Sequence, residues 1–262
     1  MFQYEVNLNV SVKDNLKPFK EEVLDELYNV HLKHGDLTLL YSGGMDSTFI
    51  LRSLKELGIN PKIITFSFSP NNDDFESELV KSKCREYGAQ SPDFFYVDEP
   101  GFYNHCNSII ESNQLTYPMI HGYMMDYFLS KHRGVKFYTG MSCEYKLKDN
   151  KIFLPAGPFL VKDNNPDQLY GFTTDKTFLS YFKHRQFVDN YKKENKYLNN
   201  GQLDRWYVRD LIYMDCYPDI TRVAKDIPYD HRFYIDKNFD SLKYLSRPIL
   251  PHTFDADYLV NL

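Results

Sequence analysis

The stretch Ser42-Gly43-Gly44-Met45-Asp46-Ser47-Thr48 gathers three hydroxyls, one carboxylate and two adjacent glycines. Adjacent glycines let the backbone approach an anion closely, and serine and threonine add donors. Before it, Leu37 to Tyr41 is β-prone. After it, Phe49, Ile50, Leu54 and Leu57 recur at helical spacing up to Gly58, a C-terminal cap. Strand, glycine turn and helix in that order aim the first-turn N–H groups of the helix at one spot, and phosphate is the guest that spot suits. The turn is neither a Walker A loop, which requires a lysine, nor the Gly-x-Gly-x-x-Gly dinucleotide fingerprint. A plain surface turn with Ser or Asp capping the helix is the alternative reading of the same residues.

Two further stretches end strands of the same type. Lys62 to Phe68 reads as a second strand and delivers Phe66, Ser67 and Phe68 to the edge where the glycine turn lies. The strand from Val135 ends in Tyr138-Thr139-Gly140-Met141-Ser142-Cys143-Glu144. In the second half, Tyr181, His184, Arg185, Asp204, Arg205, Arg209 and Asp210 could face the crevice, but mixed charge on helices reads first as a solvated face. Residues Asp163 to Asp167 fail as a calcium loop because Pro166 interrupts them and no glycine marks the sharp turn. The eight histidines form no His-x-x-x-His pair, and Cys84, Cys106, Cys143 and Cys216 form no Cys-x-x-Cys pair. Neither a zinc site nor a disulfide scaffold is indicated.

Ser-Gly-Gly-x-Asp-Ser after a strand resembles the PP-loop of the ATP pyrophosphatases, the adenine nucleotide alpha hydrolase-like enzymes. That resemblance implies that Ser42, Gly43, Gly44, Ser47 and Thr48 cradle the β and γ phosphates of ATP, and that Asp46 holds Mg²⁺. It also implies that the backbone at Phe66, Ser67 and Phe68 contacts adenine. Tyr117-Pro118, the helical stretch ending Leu129-Ser130-Lys131, and Thr139-Gly140 are similar to the synthetase domain of asparagine synthetase and β-lactam synthetase. There the corresponding stretch reads Ser-Gly-Glu-Gly-x-Asp-Glu. Aligned on Gly140, Glu144 takes the place of the metal-holding aspartate, with Met141 and Ser142 departing from the pattern. A glutamate still coordinates Mg²⁺ through oxygen, with a longer reach.

The resemblance covers Leu37 to Tyr145. It implies an AMP-forming ligase that adenylates a carboxylate or amide oxygen, releases pyrophosphate and transfers an amine or ammonia, with Asp46 and Glu144 as catalytic and metal-holding residues. No residue matches the family's general base, for which Lys225 and Lys243 are the candidates. The chain begins Met1-Phe2, without the N-terminal cysteine of a glutaminase, so nitrogen is expected from elsewhere. A separate nitrogen-donating partner and a homo-oligomer both stay open beside a small-molecule acceptor.

These residues must be placed by a scaffold. Apolar runs at 37–41, 62–68, 94–97 and 135–139 alternate with helical stretches at 46–57, 73–87, 102–111 and 118–132. That rhythm predicts an α/β fold with a doubly wound, Rossmann-like parallel sheet, ligands lying at the carboxyl ends of the strands. An N-terminal helix, Glu21 to His31, is expected to pack on it. Residues 1–145 read as a nucleotide-binding domain with an N-terminal extension, and 146–262 as a mostly helical substrate or cap region, one packed domain being the other option.

The net charge of −5 and a pI near 5.9 disfavour nucleic acid and anionic membranes as partners. No run approaches a transmembrane helix, and a cytoplasmic location is expected. A tRNA-modifying PP-loop ligase, resembling lysidine synthetase, would call for a basic face. A nucleotide sensor without turnover is the other rival.

Overall fold

The computed structural model describes residues 15–111, 120–132, 137–139, 146–148, 151–154, 168–170, 175–192, 198–199, 202–203, 205–221 and 252–255. Helix α1 (Phe19–His34) leads into strand β1 (Thr38–Leu40), helix α2 (Met45–Glu56), strand β2 (Lys62–Ser67), helix α3 (Phe75–Glu86) and strand β3 (Asp93–Tyr96). Helices α4 (Glu99–Glu111) and α5 (Ile120–Lys131) precede strand β4 (Phe137–Thr139). Then come strands β5 (Lys146–Lys148), β6 (Lys151–Leu154) and β7 (Gln168–Tyr170), and helices α6 (Asp175–Lys183) and α7 (Arg185–Lys192). Strands β8 (Leu198–Asn199) and β9 (Gln202–Leu203), helix α8 (Arg205–Cys216) and strand β10 (His252–Asp255) complete the described elements.

The main sheet runs β3-β2-β1-β4-β7, with parallel pairing throughout. Leu39 lies opposite Ile63 on one side and Tyr138 on the other. The chain builds outward from β1 through β2 to β3, then returns to place β4 against the opposite edge of β1. The strand order therefore reverses between β1 and β4, and the crevice beyond their carboxyl ends is where open α/β sheets bind ligands. Ser42 to Gly44 follow β1 after a single residue, Tyr41. Alternation along β1 sends Leu39 into one core with α1 and α2, and Leu40 into another with Phe128 and Leu129 of α5.

The larger core draws on both halves of the sequence. Phe19 of α1 stacks on Phe49 of α2 at 5.7 Å and meets Tyr181 of α6 edge-on at 5.4 Å. Phe49 in turn stacks on Tyr213 of α8 at 4.2 Å. Offset and edge-on ring pairs of this kind add about 0.5–1.5 kcal/mol each beyond area burial. Helix α2 ends where Gly58 takes a left-handed φ of 72° and Gly58 and Ile59 donate N–H bonds to the carbonyls of Lys55 and Leu54.

Two features add to the reading of the sequence, which makes the region from residue 146 mostly helical. The region from residue 146 is not simply helical, since β5, β6 and β10 form an antiparallel sheet and β8 and β9 a second small one. Strand β7 also pairs with β4, so the second half contributes a strand to the main sheet. Among the described residues, no helix is long and apolar enough to cross a membrane.

Candidate phosphate site

Helix α2 begins after Gly44, its N-cap, which makes no side-chain capping bond. Neither Ser42 nor Asp46 is the cap. The first-turn N–H groups of a helix have no acceptor within the helix, and a glycine cap brings no side chain to them. A negatively charged ligand benefits from both facts.

The loop is shaped by short local bonds. Ser42 N–H donates to Ser47 Oγ at 3.3 Å, the two hydroxyls lie 3.3 Å apart, and Ser47 Oγ donates to the Gly44 carbonyl at 3.2 Å. Gly43 sits at φ 66°, a left-handed conformation, and a Cβ there would lie 3.1 Å from Leu79 Cγ. The two glycines thus serve different ends. Gly43 is demanded by the backbone and by α3 packing beneath it. Gly44 has an extended backbone, φ −77° and ψ 168°, open to any residue, and a Cβ there would approach only Ser42 Oγ, at 3.3 Å.

Thr48 does not join the cradle, contrary to the expectation from sequence. Its hydroxyl is buried and lies 3.1 Å from the Tyr41 hydroxyl, and its N–H donates to the Gly44 carbonyl. The contact ties Tyr41, just beyond β1, to the first turn of α2. Burial pushes the Tyr41 phenol well above its ordinary pKa, the Thr48 hydrogen bond opposing only part of that, so the pair stays neutral.

Asp46 reaches away from its own helix. Its Oδ2 accepts from Arg209 Nη1 at 2.9 Å, and its Oδ1 accepts from the Tyr213 hydroxyl at 3.1 Å. Both partners lie on α8, more than 160 residues along the chain. Arg209 also donates through Nε and Nη2 to Asp210 Oδ1, at 3.0 and 2.6 Å. The Arg209 and Asp210 side chains are 11% and 4% exposed, so the solvated-face reading fails for both. It fails for Tyr181 too, which is fully buried. It holds for Arg185, which is 71% exposed and pairs with Asp215. Asp204 lies outside the described residues.

At the end of β2, Phe66 packs its ring against Phe95 and Phe128. The Ser67 carbonyl accepts from Val97 N–H at 2.8 Å, and Phe68 N–H is bound by the Asp74 carboxylate. The backbone expected to meet adenine is therefore already engaged at Ser67 and Phe68. Asp74 caps α3 through Ser77 N–H at 2.9 Å and accepts from the Ser67 and Ser77 hydroxyls. Burial opposes its ionisation, but these donors prevail and hold it below the usual carboxylate range.

Of the second motif, Tyr138 turns into the core with Leu39. Gly140 and Glu144 lie outside the described residues, as do Lys225 and Lys243. Among the described residues no three His, Cys, Asp or Glu side chains gather as a metal cluster. Asp46, with a side chain 23% exposed beside the hydroxyl-rich loop, suits a Mg²⁺ ion that arrives on phosphate oxygens, since Mg²⁺ commonly takes only one or two protein carboxylates.

No family model matches the chain, and no curated protein matches it. Among solved structures it is similar to one from Methanocaldococcus jannaschii described as a predicted subunit of tRNA methyltransferase. The likeness has 22% identity and a TM-score of 0.31 over 42% of this chain and 54% of that one. The match spans about half of that protein, and at this TM-score it carries no argument. The site stands on its own residues.

Proposed function

We propose that the protein binds ATP at Ser42–Ser47 and uses it in an AMP-forming reaction, on a doubly wound sheet of the adenine nucleotide alpha hydrolase-like kind. The observation that carries the reading is the glycine loop itself. It lies beyond the carboxyl end of the strand at which the sheet order reverses, its helix is capped by a glycine, and a carboxylate stands one residue into the first turn. A capping turn requires neither the second glycine nor a carboxylate held from another helix.

On this reading Ser42, Gly43, Gly44 and Ser47 hold the pyrophosphate end of ATP, and Asp46 holds Mg²⁺, with Glu144 as the second carboxylate. The metal supplies charge neutralisation for the leaving pyrophosphate. A carboxylate or amide oxygen of the substrate attacks the α-phosphorus, the bond to the β-phosphate oxygen breaks, and pyrophosphate departs. An amine or ammonia then displaces AMP from the activated acyl group. Such chemistry calls for positioning and preorganised donors more than for a covalent protein group. Incubation with ATP, Mg²⁺ and pools of amino acids, with nucleotide products resolved, tests it. AMP and pyrophosphate in equal amounts support the reading, ADP refutes the AMP-forming step, and bound but uncleaved ATP across the pools identifies a sensor.

A further inference from the structure

The loop Ser42–Thr48 contains no lysine or arginine, yet a cation stands beside it. Arg209 is held from two sides. Asp210 grips its Nε and Nη2 edge, and Nη1 extends to Asp46. A guanidinium does not lose its proton in proteins, so this position is always positive. At 11% exposure it requires an anionic partner, because a charge taken out of water without one is strongly destabilising.

That requirement constrains Arg209 once a metal-bound phosphate chain engages Asp46. The share of the carboxylate available to Arg209 falls, and the phosphate that arrives with the metal brings anionic oxygens to the position Nη1 already occupies. We propose that Arg209 is the phosphate-binding cation of this site. In the free protein Nη1 is paired with Asp46, and the opposite edge with Asp210. When a Mg²⁺-bound nucleoside polyphosphate occupies the loop, Nη1 passes from Asp46 to a phosphate oxygen while Asp210 keeps the other edge in place. At Nη1 one anion replaces another, while the pair with Asp210 persists. Tyr213 keeps the Asp46 carboxylate oriented through its other oxygen. This assignment rests on the nucleotide reading of the loop, and it extends the site to a helix far along the chain.

The exchange acts on phosphate alone, so it gives a test that a purely structural strut would fail. Calorimetric titration of the full chain with Mg²⁺-ATP and with adenosine compares the wild type, Arg209→Gln and Arg209→Lys, melting curves confirming the fold. Arg209→Gln is expected to weaken ATP roughly tenfold or more while adenosine changes less than about twofold. Arg209→Lys keeps the charge but not the planar fork shared by Asp46 and Asp210, and is expected to lose ATP affinity severalfold. It also serves alone if Arg209→Gln does not fold. A wild type that binds no ATP overturns the nucleotide reading and this assignment together. A wild type that binds ATP, with folded variants that keep its preference for ATP over adenosine or weaken both equally, overturns the role of Arg209 alone.

Discussion

Asp46 makes two bonds that no helix cap makes, one to a guanidinium and one to a phenol on α8. Were Asp46 the helix cap, Asp46→Asn would preserve it, since Asn caps about as well as Asp, and stability would change by only a few tenths of a kcal/mol. With Gly44 as the cap, that expectation is replaced. Asn forfeits a charge-assisted bond to a mostly buried arginine, and the cost expected is about 1–2 kcal/mol, moderated by the partial exposure of Asp46 and by Asp210. Chemical denaturation of Asp46→Asn against the wild type measures it, and a difference near zero would mean the ion pair contributes nothing. A second residue-scale prediction concerns His184. Burial is the main cause holding its pKa below the ordinary 6.5, with Asp215 opposing and Arg185 assisting. Its Nδ1 accepts from Gln186 N–H at 3.2 Å, which requires the neutral ring. The unfolded chain therefore takes up the proton more readily than the folded one. The His184 contribution is intact above about pH 6.5 and is lost progressively as the pH falls from there through the lower folded value. His184→Asn should flatten the stability profile between about pH 7 and 5; an unchanged slope would show that the ring is not held neutral. Asp215, kept below its usual 3.8 chiefly by its Arg185 hydrogen bond, titrates below this window.

At the scale of elements, the loop between β1 and α2 is where sequence and geometry coincide most closely. Strand, glycine pair and helix are legible because periodicity, Gly58 and the β-prone run all agree. What the sequence does not separate is the work of the two glycines, since only φ distinguishes them. Gly43→Ala should cost about 1–2 kcal/mol from its left-handed backbone alone, with Leu79 displaced in addition. Gly44→Val should fold normally. Comparing their melting temperatures checks the contrast, and equal losses would reject it. Helix α8 defeats a reading from sequence for a physical reason. Arg209 and Asp210 are charged, and charge on a helix is ordinarily solvated. Only the third dimension shows that Arg209 pairs with both Asp210 and Asp46, next to Tyr213, which itself bonds Asp46. The hairpin of β5 and β6 does carry a signal, Lys-Leu-Lys and Lys-Ile-Phe-Leu on either side of Asp149-Asn150, which a helical reading of the region passes over.

At the scale of the molecule, the described halves share one core. Tyr181, Phe182, Phe187, Val208, Ile212 and Tyr213 are fully buried with Phe19, Phe49 and Leu39. Burying side chains of this size contributes roughly 2 kcal/mol each, so losing the six is comparable to the whole margin by which ordinary domains are stable. A fragment ending at residue 145 is expected to lose cooperative unfolding and bind hydrophobic dye, whereas a sharp melting transition in that fragment would establish an independent nucleotide domain. The same unity explains how a residue of α8 comes to stand at a loop after β1. The phosphate cradle is tested most directly by calorimetric titration of Mg²⁺-ATP into the wild type and into Gly44→Val, whose backbone conformation any residue adopts. Saturable binding to the wild type, and its loss in a variant that still unfolds cooperatively with only the small drop in melting temperature that a valine cap brings, is the result expected. Equal ATP affinity in the two folded proteins, or none in the wild type, would contradict a phosphate site at Ser42–Ser47.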